Sequence, residues 1–217
     1  MATRVLVHSA NMGAFDEAVM VPCHQDGVLV DYKTATDQNT MRRSSAMTPR
    51  LQARIPKCFG WDLWPGYDAY LWHDASLSLS HPNSVTWFLD QLGDDDLAVF
   101  AHPVRHTVRA EAEFIQKKVH EGNRYLCDRY LGEDIEGQLR AIDDDVDDRL
   151  YASGAFIYRP RPMVTMALKE WWYHISRFHS VDQLAFPYVT RHLDVHVIQE
   201  DIYHASHLLW VRSRHHG

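Results

Sequence analysis

Residues 67–80 read YDAYLWHDASLSLS. The run Ala69-Tyr70-Leu71-Trp72 has the composition of a buried strand, and it leads directly into a carboxylate, Asp74. A charged aspartate at the end of such a strand is costly unless it is paired or holds a metal. Asp74 and Ser76 stand two apart, so in extended chain their side chains point to the same side. Two oxygens so placed can hold a divalent cation, and the cation can hold a diphosphate. The plainer reading of an isolated D-x-S is a strand end whose aspartate caps a turn.

Outward from this strand, extended and helical stretches alternate. Thr3–His8 reads as a first strand, closed by Ser9–Gly13, and Val28–Tyr32 as a second after a turn at Asp26-Gly27. Residues 34–47 are polar and read as loop. Thr48–Arg54 is a short helix with Pro49 in its first turn, and Pro56 is expected to end it. Strand 67–73 is followed by Ser76–Ser80, whose alternation predicts a half-exposed strand. Asn83–Leu92 is a helix with Asn83 as its N-cap, and Leu97–Ala101 is a buried strand. Arg109 to Leu150 is helical, with breaks near Gly122 and Gly132. Gly154–Tyr158 is a strand, Met163–Phe178 and Asp182–Arg191 are helices, and His196–Tyr203 is the last strand. This alternation predicts an α/β fold built on a central sheet. No repeat or long linker divides the chain, so residues 1–217 are expected to form one domain, either whole or cut from a longer protein.

Composition narrows the function. Of 217 residues, 46% are hydrophobic, enough for a substantial core. The seven tryptophans and ten tyrosines are many for this length, and aromatic faces also suit sugar rings. A formal charge of −7 argues against an electrostatic nucleic-acid binder. Cys23, Cys58 and Cys127 are far apart and odd in number, which argues against a disulfide framework or a thiolate zinc site. The start MATRVLVHSANMG lacks the apolar core of a signal peptide. No apolar run is long enough for a membrane span. A cytoplasmic setting is expected, the host cytoplasm if the chain is viral. The acidic runs Asp94–Asp96 and Asp143–Asp148 lack the ligand spacing of a calcium loop and read as solvated turns or helix ends.

Several motifs occur in order. They are Arg54-Ile55-Pro56-Lys57, Tyr67 to Ser76, Ala101-His102-Pro103-Val104-Arg105, Ser153–Arg159, Trp171-Trp172, and Val181-Asp182-Gln183-Leu184-Ala185-Phe186. Together they resemble the TOD1/MUCI70-like glycosyltransferases, whose pattern is R-x-x-K, then Y-D/E-x-x-x-W-x-D-A/G-S, then R-D-Q-L-S-F. The resemblance spans most of residues 3–210. Val181 departs from the family's arginine, which puts one acceptor or phosphate contact in doubt. The chain is also similar to the first domain of a virus-encoded multidomain glycosyltransferase that builds capsid glycans. The resemblance implies a GT-A type, Rossmann-like fold with a central mixed sheet flanked by helices. The N-terminal half would bind nucleotide and the C-terminal half acceptor.

It also implies the chemistry. A UDP-sugar would donate a hexose or deoxyhexose, of glucose or rhamnose type, to a glycan or glycoprotein acceptor, with retention. Mn²⁺ or Mg²⁺ would neutralise the leaving diphosphate, held by Asp74, Ser76 and His204, with His207 as the second histidine. Ala10, Asn11, Asp37, His73 and Asp74 would line the nucleotide-sugar site. Arg54 and Lys57 lie i, i+3, so both reach one side if the helix extends, and they would meet the diphosphate. Arg105 would touch phosphate or sugar, and Ser153 and Gly154 would form the wall beneath the sugar. Asp182 and Gln183 would carry the reaction beside the anomeric carbon. Two other readings remain. A histidine-based metal hydrolase could use His192, His196, His204 and His207, but no H-E-x-x-H is present. A non-catalytic carbohydrate- or nucleotide-binding module would have no need of Asp74 or Asp182.

Overall fold

The computed structural model describes residues 2–14, 27–40, 47–142 and 149–210. The elements in chain order are β1 (Thr3–Asn11), β2 (Val28–Thr36), α1 (Pro49–Leu63), β3 (Ala69–His73), β4 (Leu77–Leu79), α2 (Ser84–Leu92) and β5 (Leu97–Ala101). They continue with α3 (Val108–His120), α4 (Arg124–Tyr130), α5 (Ile135–Ala141), β6 (Tyr151–Tyr158), α6 (Pro162–Arg177), α7 (Asp182–Val189), β7 (Val195–Ile198) and β8 (Leu208–Trp210). Six strands form one sheet in the order β2-β1-β3-β6-β5-β7, and β4 pairs with β8 in a separate ribbon. β6 runs antiparallel to both neighbours, while the other pairings in the sheet are parallel. This is the expected α/β architecture, a central mixed sheet flanked by helices.

Why these stretches became strands is visible in their burial. A sheet covered on both faces needs apolar residues at successive positions, not at alternate ones. In β3, Tyr70 and Trp72 pack into a core shared with Trp171 and Ile175 of α6 and Phe186 of α7. Ala69 and Leu71 face the other way, against Val85, Phe88 and Leu92 of α2. Trp171 is fully buried, tilts against Phe186 at 4.4 Å, and donates its indole N–H to the Asp182 carbonyl at 2.7 Å. That bond ties α6 to the first residue of α7. A third cluster joins Val108, Ala112 and Ile115 of α3 to Ile135, Val181 and Leu184.

The structure corrects several local expectations. β1 and β2 extend to Asn11 and Thr36, so residues 34–36 are strand and the turn begins at Asp37. Pro56 does not end α1. Proline has no N–H for the carbonyl of residue i−4, yet the helix runs on to Leu63 with a local kink at Phe59 (φ −121°, ψ 20°). Packing overrides the lost bond, because Lys57, Cys58 and Gly60 are all buried. A Cβ on Gly60 would collide with the His8 ring, so only glycine fits that approach. β4 is buried along its whole length rather than half exposed, since β8 pairs with it. Asn83 stands at the N-cap of α2 without a side-chain capping bond, whereas Thr48 and Thr107 cap α1 and α3 through their hydroxyls. Asp182 is the first residue of α7 and does not cap it, because its carboxylate is used elsewhere. The expected strand 196–203 is the shorter β7, followed by loop and then β8.

Asp94–Asp96 does form the turn before β5, and Asp96 pairs with Arg161 at 2.7 Å. Asp143–Asp148, Cys23, Asp26 and residues 41–46 lie outside the described residues. Cys58 and Cys127 are free thiols. Among the described residues, no helix is long and apolar enough to cross a membrane.

Candidate active site

The carboxyl ends of β1, β2, β3, β5 and β7 lie on one edge of the sheet, the edge where open α/β sheets bind ligands. β6 starts there because it runs the opposite way. Asp74 follows β3 directly and is fixed through its backbone. Its N–H donates to the Gly154 carbonyl at 2.7 Å, and its own carbonyl accepts from Leu77 at 2.9 Å. The strand end is thereby turned so that the side chain meets α1 on one side and solvent on the other.

α1 supplies the partners. Because it continues past Pro56, Arg54 and Lys57 reach the same side, as the i, i+3 spacing predicts. Lys57 is wholly buried, and its ammonium lies 2.6 Å from Asp182 Oδ2 and 3.2 Å from Asp74 Oδ1. It also sits 5.5 Å from the ring centres of Trp72 and Trp171, a cation held between two aromatic faces. Arg54 Nε stands 3.1 Å from Asp182 Oδ2, and its NH1 4.0 Å from Asp74 Oδ1. Two cations and two carboxylates therefore balance in one cluster. Arg54 and Lys57 thus both contact carboxylates of the chain itself.

The two carboxylates are not equivalent. Asp182 is buried, which alone would raise its pKa. Arg54, Lys57 and hydrogen bonds from Lys57 and Ser153 outweigh the burial and hold it below the usual carboxylate range. Asp74 keeps a side chain one-third exposed (33%), and its contacts to Lys57, Arg54 and the Trp72 indole N–H all fall on Oδ1. Oδ2 lies on the side of Gly154, 3.6 Å from where a Cβ on that glycine would stand. Ile202 and Leu77 line the same spot, with side-chain carbons 3.3 and 3.4 Å from that position, so the glycine lets the backbone pack closely beside the carboxylate.

A second chain of contacts runs beside the first. Gln183 donates its side-chain N–H to Glu111 Oε1, and Arg105 Nε donates to Glu111 Oε2. The Arg105 guanidinium lies 4.0 Å from the Phe114 ring centre. His102 Nδ1 accepts the backbone N–H of Arg105 at 3.0 Å and of Val104 at 3.3 Å, which shapes the loop after β5. Two phenols border the cluster. Tyr203 is about half exposed, and the partial desolvation of its hydroxyl, with Asp74, Asp201 and Glu111 adding to it, raises its pKa. Burial also raises Tyr130, whose charged neighbours include Arg50, Arg54 and Asp182.

The remaining candidates are placed as follows. Ala10 and Asn11 close β1, and Asp37 Oδ2 accepts the Gly13 N–H at 2.5 Å, bracing the turn that follows. Ser153 is buried against Asp182. Ser76 lies in the turn between Asp74 and β4. His73 is buried, bonds the Asp74 carbonyl through Nδ1 at 3.1 Å, and leaves Nε2 without a partner among the described residues. Burial pushes its imidazole down. His204 is exposed and held by Asp201, Nδ1 to Oδ2 at 2.8 Å. His207 stacks on Trp87 at 4.7 Å and bonds Ser206. The structure thus brings together Arg54, Lys57, Asp74, Ser153, Gly154 and Asp182, and joins Arg105 to Gln183 through Glu111.

Sequence reasoning missed Glu111, Tyr130 and Tyr203. Glu111 had a signal. It lies three residues after Val108 and four before Ile115, on the apolar face of α3, where a glutamate needs a partner.

Among the described residues, no three His, Cys, Asp or Glu side chains converge to hold a metal ion. The donor set still suits a cation that takes its other ligands from a diphosphate, as Mg²⁺ and similar ions do. Asp74 offers one outward oxygen. A His204 that donates its Nδ1–H to Asp201 keeps a free Nε2 lone pair, the usual support for a metal-binding histidine.

No curated protein sequence matches the chain. Among solved structures it is similar to a glycosyltransferase involved in the glycosylation of the major capsid of PBCV-1, with 10% identity and a TM-score of 0.45 over 92% of this chain and 82% of that one. It is also similar to mouse xyloside xylosyltransferase 1, with 10% identity and a TM-score of 0.46 over 90% of this chain and 85% of that one. Residues 40–207 match the model of the TOD1/MUCI70 glycosyltransferase-like domain. That span holds every candidate from Arg54 to His207 and well over half of the chain, which therefore belongs to the TOD1/MUCI70 glycosyltransferase family.

Proposed function

We propose that this glycosyltransferase is metal-dependent, takes a hexose or deoxyhexose from a UDP-sugar, and passes it to a glycan acceptor with retention. The observation that carries the reading is Asp74. It is anchored at a strand end by its backbone, takes its cationic and indole contacts on Oδ1, and keeps a side chain one-third exposed. Asp74 would hold Mn²⁺ or Mg²⁺, with Ser76 and His204 as further ligands and His207 as the weaker candidate. The cation would neutralise the departing diphosphate. Ala10, Asn11 and Asp37 would line the nucleotide pocket at the end of β1.

The chain's own residues would do the rest. The Lys57–Asp182–Arg54 cluster fixes the start of α7 and so places Gln183. Asp182 keeps its charge while buried, and its Lys57 contact leaves little of the carboxylate for a free proton. We therefore assign it to the electrostatics of the sugar site, with Gln183 beside the anomeric carbon. Ser153 and Gly154 would form the floor. We assign residues 1–217 to one catalytic domain.

The test is a thermal-shift screen of UDP-, GDP- and ADP-sugars with and without Mn²⁺. Specific binding stabilises by mass action, so a UDP-sugar with Mn²⁺ should raise the melting temperature above every other pairing. No metal-dependent shift with any nucleotide sugar would overturn the reading.

A further inference from the structure

Glu111 is 4% exposed, and both of its oxygens are occupied, one by the Gln183 amide and the other by Arg105. An ionised carboxylate can only accept hydrogen bonds. An amide has one donating end and one accepting end. With one N–H of its NH₂ given to Glu111, the Gln183 amide is turned so that Oε1 is the end directed away from that carboxylate. We propose that Glu111 is a positioning residue that holds the Gln183 amide so that its carbonyl oxygen, not its NH₂, faces the donor sugar. The group Gln183 meets is then a hydroxyl that donates, or the electron-poor anomeric carbon. This rests on the placement of Gln183 beside that carbon.

The surroundings show how the orientation is maintained. Arg105 balances the charge of Glu111 and is itself stacked on Phe114. The loop that carries Arg105 is shaped by His102, which accepts two of its backbone N–H groups. Glu111 stands in the first turn of α3, which Thr107 caps. The path from the end of β5 to α7 thus passes through one carboxylate.

Glu111→Gln tests the idea at constant size. Arg105 only donates, so it will hold the new amide by its oxygen. The new NH₂ will then face Gln183 and compel that side chain to turn its own oxygen inward and its NH₂ outward. The assay is hydrolysis of UDP-glucose, UDP-galactose or UDP-N-acetylglucosamine with Mn²⁺, using whichever the wild type cleaves fastest. Glu111→Gln should lower kcat at least about tenfold, less than the roughly hundredfold or more that outright loss of a preorganised active-site group costs. UDP affinity should stay within about twofold, because the nucleotide is held elsewhere. In a Gln183→Ala background the same change should add less than about twofold, since the group it misdirects is gone.

A second readout needs no turnover. In protein labelled with ¹⁵N-glutamine, the side-chain NH₂ signal assigned by its loss in Gln183→Ala should shift in Glu111→Gln and show reduced protection from exchange. If Gln183→Ala lowers kcat but Glu111→Gln does not, or if the two effects multiply fully, Glu111 does not act through Gln183. An unmoved NH₂ signal would equally overturn the proposal. If Gln183→Ala itself leaves kcat unchanged, or none of the three donors is cleaved, the placement of Gln183 fails and the proposal with it.

Discussion

Lys57→Met removes an ammonium that has no contact with solvent. In the native protein that group lies 2.6 Å from Asp182 Oδ2 and 3.2 Å from Asp74 Oδ1. Methionine keeps most of the volume between Trp72 and Trp171, so the change is electrostatic and not a cavity. Asp182 is left buried with its Ser153 hydrogen bond and with Arg54 as its remaining cation, at 3.1 Å but out of hydrogen-bond alignment. Removing one partner of a buried ion pair costs about 3–5 kcal/mol. For a chain of this length each kcal/mol is about 2–4 °C, so the melting temperature should fall by about 6–20 °C. Asp182→Asn removes the charge that Lys57 answers. In the double variant neither orphan remains, and at least about 2 kcal/mol of the summed losses should be recovered. Urea denaturation of the four proteins closes the cycle. A loss under about 1 kcal/mol in Lys57→Met, or strict additivity in the double variant, would refute the claim that the pair is buried and coupled.

The nucleotide pocket should prefer UDP to GDP and ADP in calorimetry with Mn²⁺, and equal affinities would remove the reason for naming Asn11 and Asp37. Acid should weaken the fold before its carboxylates titrate. Burial, with His73 adding to it, pushes His8 down to about 3, and burial pushes His179 down to about 4. Both are neutral in the fold and protonate near 6.5 when unfolded, so the unfolded chain binds more protons below that pH. Each should cost about 2 kcal/mol on going from pH 7 to pH 5. Denaturation at both pH values should show the loss, a His8→Leu variant should show less of it, and an identical pH response in the two proteins would contradict it. Gly60→Ala should destabilise by about 1–3 kcal/mol through overpacking, because the His8 ring it strikes has no room to move, and a neutral effect in a melting experiment would show that it does.

Much of the fold was legible because the sheet is covered on both faces. That makes β3, β5 and β6 continuous apolar runs, and such runs survive any local ambiguity. The extension of α1 was not legible. Pro56 gives a local stop signal, and what overrides it is the burial of Lys57 against α6 and α7, far along the chain. β8 is three residues long and carries no periodicity of its own. At the site, Asp74 could be found from its strand because a carboxylate after a buried run demands a partner. The partnership of Lys57 with Asp182 could not, because their spacing of 125 residues is fixed only by the tertiary fold. Glu111 was hidden beside Glu113 in α3, and only its place on the apolar face set it apart.

Asp74 is the residue through which we propose that a metal and a nucleotide diphosphate are held. Calorimetric titration of UDP into the wild type and into Asp74→Asn, each with and without Mn²⁺, tests this most directly. Asparagine keeps the size and the strand-end geometry but loses the charge. The wild type should bind UDP far more tightly with Mn²⁺ than without, and Asp74→Asn should lose that difference while keeping its melting temperature within a few degrees. Hydrolysis of the UDP-sugar should fall at least about a hundredfold in the same variant. An Asp74→Asn protein that binds UDP with the wild-type affinity and the wild-type dependence on Mn²⁺ would contradict the assignment.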